Sequence, residues 1–116
     1  MIRCIALFVF CGLVMGLQSQ PAWAEPPGDP VKGKAMYERL CITCHGARGK
    51  GDGPAGPMMT PHPADFTSPK IKGKPDGELV QTIQNGKSGT SMAGFKGQLS
   101  EQQIHDVLAF IRSLGR

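Results

Sequence analysis

Apolar residues fall along this chain in three patterns, and each predicts a different kind of segment. Between Arg3 and Gln18 they run unbroken apart from small residues, from Ile5 to Leu17. That is about 13 residues, short of the ~20 a membrane span needs. From Val31 onward, Val31, Ala35 and Leu40, with Tyr37, recur at helical spacing, and Met36 extends the same face. Asp29-Pro30 supplies the helix start, with Asp as N-cap and Pro at the first helical position. Residues 46–74, rich in Gly and Pro, hold no period long enough for a strand or more than short turns of helix. The helical pattern returns over Asp76 to Asn85, with Leu79, Val80 and Ile83 on one side and Gly86 as the stop. A loop from Gly86 to Gly97 carries Met92 and Phe95. Ser100 then caps a last helix in a capping-box arrangement with Gln103. Ile104, Val107, Leu108, Ile111 and Leu114 form its apolar stripe, flanked by Phe110. β-Branched runs of strand length are missing, and the pattern reads as a few helices joined by one long irregular segment.

The first apolar run changes meaning once its flanks are read. Gln18-Ser19-Gln20-Pro21 breaks it, and Ala22-Trp23-Ala24 sets small residues where a signal peptidase reads. Residues 1–24 are therefore expected to be a cleaved secretory signal that sends the protein to the periplasm, with Glu25 as the mature N-terminus. A retained anchor is the alternative. Cys11 follows bulky Val9 and Phe10, which argues against a lipoprotein. Residues 25–29 read as a mobile Pro-rich leader and residues 30–116 as one small domain with no transmembrane span. Cleavage removes Cys4 and Cys11, leaving Cys41 and Cys44. Two cysteines exclude a disulfide scaffold, and no second ligand pair supports structural zinc. Cleavage also removes Arg3, reducing the formal charge from +4 to +3. That excess is too small and too dispersed for nucleic acid.

The surviving pair sits in Cys41-Ile42-Thr43-Cys44-His45. On a helical turn the two thiols face the same way, and each can add to one vinyl group on a haem edge. The imidazole of His45 then reaches the iron from the same side. This spacing predicts one haem c, covalent through Cys41 and Cys44. A buried haem supplies apolar volume that so small a chain lacks. It also gives the irregular segment something to wrap, where a structureless loop of that length is otherwise unexpected. The Gly46–Gly51 stretch with Lys50 has the outline of a phosphate-binding loop, but it lacks the G-K-[ST] ending and a preceding strand.

These residues together resemble the small class I c-type cytochromes over essentially the whole region after the signal. The resemblance rests on Gly33-Lys34 and Tyr37 ahead of the Cys41–His45 motif. It continues through Gly49-Lys50-Gly51-Asp52-Gly53-Pro54 and Pro61-His62-Pro63-Ala64-Asp65-Phe66, then Met92 and the Ala109–Leu114 ending. It is similar also to the cytochrome c domains of oxidase and dehydrogenase subunits. The resemblance implies an all-α, cytochrome c-like fold, a few helices wrapped around one covalently bound haem, whose first and last helices cross, with Gly33 permitting close approach and Tyr37 and Phe110 packing nearby. By the same analogy, Pro61 or Pro63 offers a carbonyl to the His45 ring. Two positions depart from the family: Phe110 stands where Tyr or Trp is usual, and Ala93 follows Met92 where Pro is frequent.

Iron bound by His45 has an opposite face to fill. Met92 is the expected second axial ligand, since its Gly-rich loop lies between two helices and far enough along the chain to fold over that face. Its neutral, soft thioether raises the reduction potential relative to a second His. Met58, Met59 and His62 are the alternatives, and His105 reads as a surface residue. A six-coordinate haem implies a carrier of single electrons between redox proteins, among them a membrane-bound reductase, oxidase or dehydrogenase. Lys70, Lys72, Lys74, Lys87 and Lys96 would form a basic docking rim. The competing readings are a haem-based gas sensor or peroxide-reacting protein with a labile sixth ligand, and a haem subunit of a dehydrogenase or oxidase complex. No catalytic constellation supports enzyme chemistry.

Overall fold

The computed structural model describes residues 27–116; the expected signal segment lies outside them. Five helices follow one another: α1 (Pro30–Leu40), α2 (Ile42–His45), α3 (Pro69–Lys72), α4 (Asp76–Asn85) and α5 (Glu101–Leu114). A short 3-10 turn covers Gly56–Met58. Among the described residues there is no strand, and single bridges join Gly86 to Ala93 and Lys96 to Leu99. None of the described helices is long and apolar enough to cross a membrane.

Local chemistry sets the ends of the long helices. The Asp29 carboxylate accepts from the Val31 and Lys32 N–H groups, two donors that the first turn cannot satisfy itself. At α5 the Ser100 hydroxyl accepts from the Gln103 N–H at 3.2 Å, while the Gln103 side chain accepts from the Ser100 N–H at 2.9 Å. α3 is the element that the periodicity of residues 46–74 does not announce. It is a single turn capped by Ser68 and begun by Pro69, too short to leave a repeat.

α1 and α5 cross, and Gly33 makes the crossing possible. A Cβ on Gly33 would overlap the Asp106 carbonyl of α5, so only hydrogen fits between the two backbones. This approach fixes which face of α1 turns inward. Gly33, Met36 and Tyr37 are buried and Leu40 packs against the core, whereas Val31 is 79% exposed and Ala35 is also exposed. The apolar spacing from Val31 thus gave the right element with its face rotated. The remaining core comes from Val80 and Ile83 of α4, Leu99, and Ile104, Val107, Leu108 and Ile111 of α5. Beside the crossing, the Tyr37 ring meets Phe110 at 5.0 Å between centroids.

The buried face of α5 is wider than its apolar stripe. His105 is 6% exposed and Asp106 3%, so the expectation of a surface His105 is corrected. Gly28 explains it, because the chain entering α1 lies so close over the His105 carbonyl that a Cβ there would collide. Asp106 turns this contact into a tie. Its carboxylate accepts from the Asp29 N–H at 2.8 Å and from Gln102 at 3.0 Å, while Gln102 also donates to the Pro27 carbonyl. Burial pushes the Asp106 carboxyl upward, but these donors, with Lys32 and His105 nearby, outweigh it and hold the group below the usual carboxylate range. Arg112 performs a similar service further along, donating to the carbonyls of Ile71, Lys72 and Lys74 and pairing with Asp76. It fastens the segment from α3 to the start of α4 onto α5.

Two outcomes follow from these contacts. Gly33→Val should lower stability by roughly 1–3 kcal/mol or more, since α1 and α5 must part; a thermal midpoint equal to that of the parent would refute the close crossing. Asp106 has a folded pKa below its unfolded value of about 3.9. Its stabilisation is therefore complete above that value and is lost as pH falls through the folded pKa. Asp106→Asn should flatten the acid limb of a stability–pH profile measured by denaturant unfolding.

Candidate haem site

α2 has only four residues and makes almost no hydrogen bonds of its own, so its carbonyls must find partners outside it. The glycine-rich loop provides them. Ala55 N–H donates to Thr43 at 2.9 Å, Gly53 N–H to Cys44 at 3.1 Å, and Gly51 N–H to His45 at 2.8 Å. The Tyr37 hydroxyl donates to the Gly46 carbonyl at 2.6 Å, reaching from α1. Burial, followed by the neighbouring Cys41 and Asp52, pushes the Tyr37 hydroxyl far above its ordinary pKa, so it remains a donor. Gly51 takes φ +76°, and its backbone passes so near the Pro63 carbonyl that no side chain fits.

On this framework Cys41 is the N-cap of α2, and Cys44 and His45 lie one turn on. The N–H groups of both residues donate to the Cys41 carbonyl. The thiols of Cys41 and Cys44 are free and half-buried. Burial and then the neighbouring Cys44 push the Cys41 thiol up to about 11, so it is protonated at neutral pH. His45 is buried and held on two sides. Its Nδ1 lies 3.2 Å from the Ala64 carbonyl, which can only accept, so Nδ1 carries the proton and Nε2 keeps its lone pair. The ring also stacks on Phe66, with centroids 4.5 Å apart and planes 19° from parallel. Burial lowers the His45 pKa, with the Ala64 carbonyl acting in the opposite direction; the ring is therefore neutral at neutral pH.

The family analogy pointed to Pro61 or Pro63 for this second contact, and the carbonyl is that of Ala64. The irregular path after Pro63 decides which carbonyl arrives, and spacing does not encode that path. Phe66 is the site residue without an assigned role in the sequence reading. Its one visible signal is a lone aromatic in a segment otherwise made of Pro, Gly and polar residues. Tyr37 completes the arrangement, meeting Phe66 edge-on at 6.3 Å.

The candidate sixth ligands separate by environment. Met92 is half-buried and packs on the core. Its loop is closed by Lys87 N–H donating to the Met92 carbonyl at 3.1 Å and by Thr90, which accepts from the Met92 N–H at 3.2 Å. Phe95 and Lys96 N–H groups tie the same loop to the last turn of α4 through Ile83 and Gln84. These bonds stiffen a loop that lacks the proline frequent in the family after this Met. Met59 is half-buried, whereas Met58 is 82% exposed and His62 is exposed. Of the five lysines in the expected rim, Lys70, Lys72, Lys87 and Lys96 are exposed, and Lys74 is engaged by Glu78.

The donor set fits a covalently attached haem. Two free thiols share one helical turn with a neutral imidazole whose Nε2 keeps its lone pair. Leu40, Ile42, Leu79, Met92 and Phe95 pack on the core while remaining partly uncovered, apolar area available to a flat apolar group.

Comparison with known proteins gives the class. The Cytochrome c family model matches residues 30–115, and the chain belongs to that family. Membership implies covalently bound haem c and haem-based electron transfer. Cytochrome c-554(547) of Halothiobacillus neapolitanus is 32% identical over 94 residues, covering 75% of this chain and 98% of that protein. Subunit CcoP of the cbb3-type cytochrome c oxidase of Azospirillum brasilense is 32% identical over 84 residues, 72% of this chain. The chain spans only 28% of that subunit. A chain of the reducing HAO-like protein complex of Kuenenia stuttgartiensis superposes with a TM-score of 0.65 at 29% identity, over 77% of this chain and 44% of its own length.

Tyr37→Phe should cost about 1 kcal/mol in denaturant unfolding, the worth of one buried hydrogen bond, with helix content unchanged. An unaltered midpoint would mean that the Gly49 N–H, which also donates to Gly46, suffices alone.

Proposed function

We propose that this protein is a periplasmic carrier of single electrons between redox proteins, with one haem c joined through Cys41 and Cys44, bound by His45 and closed on its other face by Met92. In this reading residues 1–24 are the export signal, 25–29 a leader and 30–116 the cytochrome domain. The observation that carries it is the state of His45. A neutral ring, stacked on Phe66 and tied through Nδ1 to Ala64, is oriented in advance to offer Nε2 to a metal. Covalently held haem supplies a one-electron Fe(III)/Fe(II) couple.

The chain's own groups do the rest. Cys41 and Cys44 would hold the haem as thioethers, formed by S–H addition across its vinyl groups with no net oxidation. The hydrogen-bonded α2 and the closed Met92 loop limit how far these side chains can move between redox states. A neutral thioether favours ferrous iron more than a second imidazole would. The exposed Lys70, Lys72, Lys87 and Lys96 suit an acidic partner surface, and the oxidase subunits among the relatives make a larger redox enzyme a reasonable partner.

Met92→Ala should lower the reduction potential and abolish the weak long-wavelength band of Met-ligated ferric haem. An unchanged ferric spectrum would remove Met92 from the iron. Rapid, complete conversion of the reduced parent protein by carbon monoxide would instead favour a gas-binding function. Replacing both cysteines with Ser should leave haem extractable by acid–organic solvent, whereas the parent retains it.

A further inference from the structure

The bond between His45 Nδ1 and the Ala64 carbonyl settles the tautomer of the ring but not its plane. The χ2 torsion of a histidine joins an sp³ to an sp² carbon and has only broad preferences. At 3.2 Å the hydrogen bond lies at the long end of the N–H···O range, where it tolerates some rotation of the donor ring. Fixing the plane takes a second contact, and Phe66 makes it. With centroids 4.5 Å apart and planes 19° from parallel, turning the imidazole would drive its edge into the phenyl face.

Phe66 is itself held from several directions. Its N–H donates to the Gly49 carbonyl at 2.7 Å. The Asp65 carboxylate accepts from the Thr67 N–H at 2.8 Å and from the Thr67 hydroxyl at 2.6 Å, while the Ser68 hydroxyl donates to the Asp65 carbonyl at 2.7 Å. The backbone is therefore bonded on both sides of Phe66. The ring is confined as well. Gly49 is buried at φ +68°, and a Cβ there would come within 2.9 Å of both Phe66 Cδ2 and Leu114 Cδ1. Only hydrogen at position 49 lets the phenyl ring and the last turn of α5 close over this loop.

We propose that Phe66, wedged against Gly49 and Leu114, is the positioning residue that sets the plane of the His45 imidazole, leaving Ala64 to set its tautomer. The proposal rests on His45 as the iron ligand and adds the rotation that ligand identity leaves open. Phe66 acts only through the imidazole, as a flat, uncharged wall. Its supports come from the glycine loop and from the end of α5, so contacts distant in sequence decide an angle at the ligand.

The test uses the haem-loaded ferric protein with cyanide bound opposite His45. Cyanide is cylindrical, so the spread of the haem-methyl proton shifts follows the plane of the imidazole. Phe66→Leu removes the flat wall while keeping an apolar side chain, and should change that spread. Phe66→Tyr keeps the wall and should show the parent pattern. Phe110→Leu removes an aromatic that meets Tyr37 instead, and should also leave the pattern unchanged. In the reduced parent, NOEs should connect the His45 and Phe66 ring protons. Absence of those NOEs would overturn the role even if the Leu variant fails to load haem. So would a parent pattern in Phe66→Leu, a Phe66→Tyr pattern that follows the Leu variant, or an equal change in Phe110→Leu. His45 ring protons without an iron-induced shift in the parent would overturn the ligation itself, a separate failure that removes the positioning role with it.

Discussion

The hydrogen bonds that close the end of α2 are the constraint on which the rest depends. A four-residue helix forms one turn and cannot stand alone in water. Here its carbonyls are taken by Gly51, Gly53 and Ala55 from one side and the following Gly46 carbonyl by Tyr37 from the other. The two partners come from opposite parts of the fold. The glycine loop must double back past Pro63, and Tyr37 must be held by the crossing of α1 with α5. The spacing of Cys41, Cys44 and His45 becomes a fixed geometry only because both conditions are met.

That dependence explains which features could be read from the chain. Asp29-Pro30 and Ser100 with Gln103 act within one turn of their own position, so the helix starts that they predict are the starts observed. The apolar stripe of α5 is likewise local and long enough to define its face. The face of α1 is different. Val31 and Ala35 had the periodicity, but the contact of Gly33 with Asp106 decides which side is covered, and that contact spans most of the chain. His105 was misplaced for the same kind of reason: Gly28, distant in sequence, covers its backbone. The carbonyl facing His45 depends on a turn-by-turn path through an irregular segment, where composition shows flexibility and hides direction.

The core itself accounts for the cofactor that family membership implies. Its buried apolar side chains come almost wholly from α1, α4 and α5. Leu40, Leu79 and Phe95 pack against that core but stay only partly buried. A small domain buries a limited share of its surface, and the long irregular segment contributes little to the interior beyond Phe66. Flat apolar volume fixed to α2 would add to the buried area, which would couple attachment to stability. Covalent linkage makes the coupling permanent, which suits a domain that recurs inside longer oxidase subunits as well as in small proteins matched along nearly their full length.

His45 and His62 show how much environment adds to an identical hydrogen bond. Each imidazole has Nδ1 at 3.2 Å from a carbonyl, and each therefore presents Nε2. His45 is buried, stacked on Phe66 and lowered in pKa by its loss of solvent, so proton competition for Nε2 is weak. Its neighbours are thiols that can make bonds which do not reverse under ordinary conditions. His62 is exposed and lies between two prolines. The first setting suits the lasting hold of a cofactor; the second leaves the ring in contact with solvent. Residue type and spacing alone offer both histidines to the iron; burial and the Phe66 stack are what distinguish the two rings.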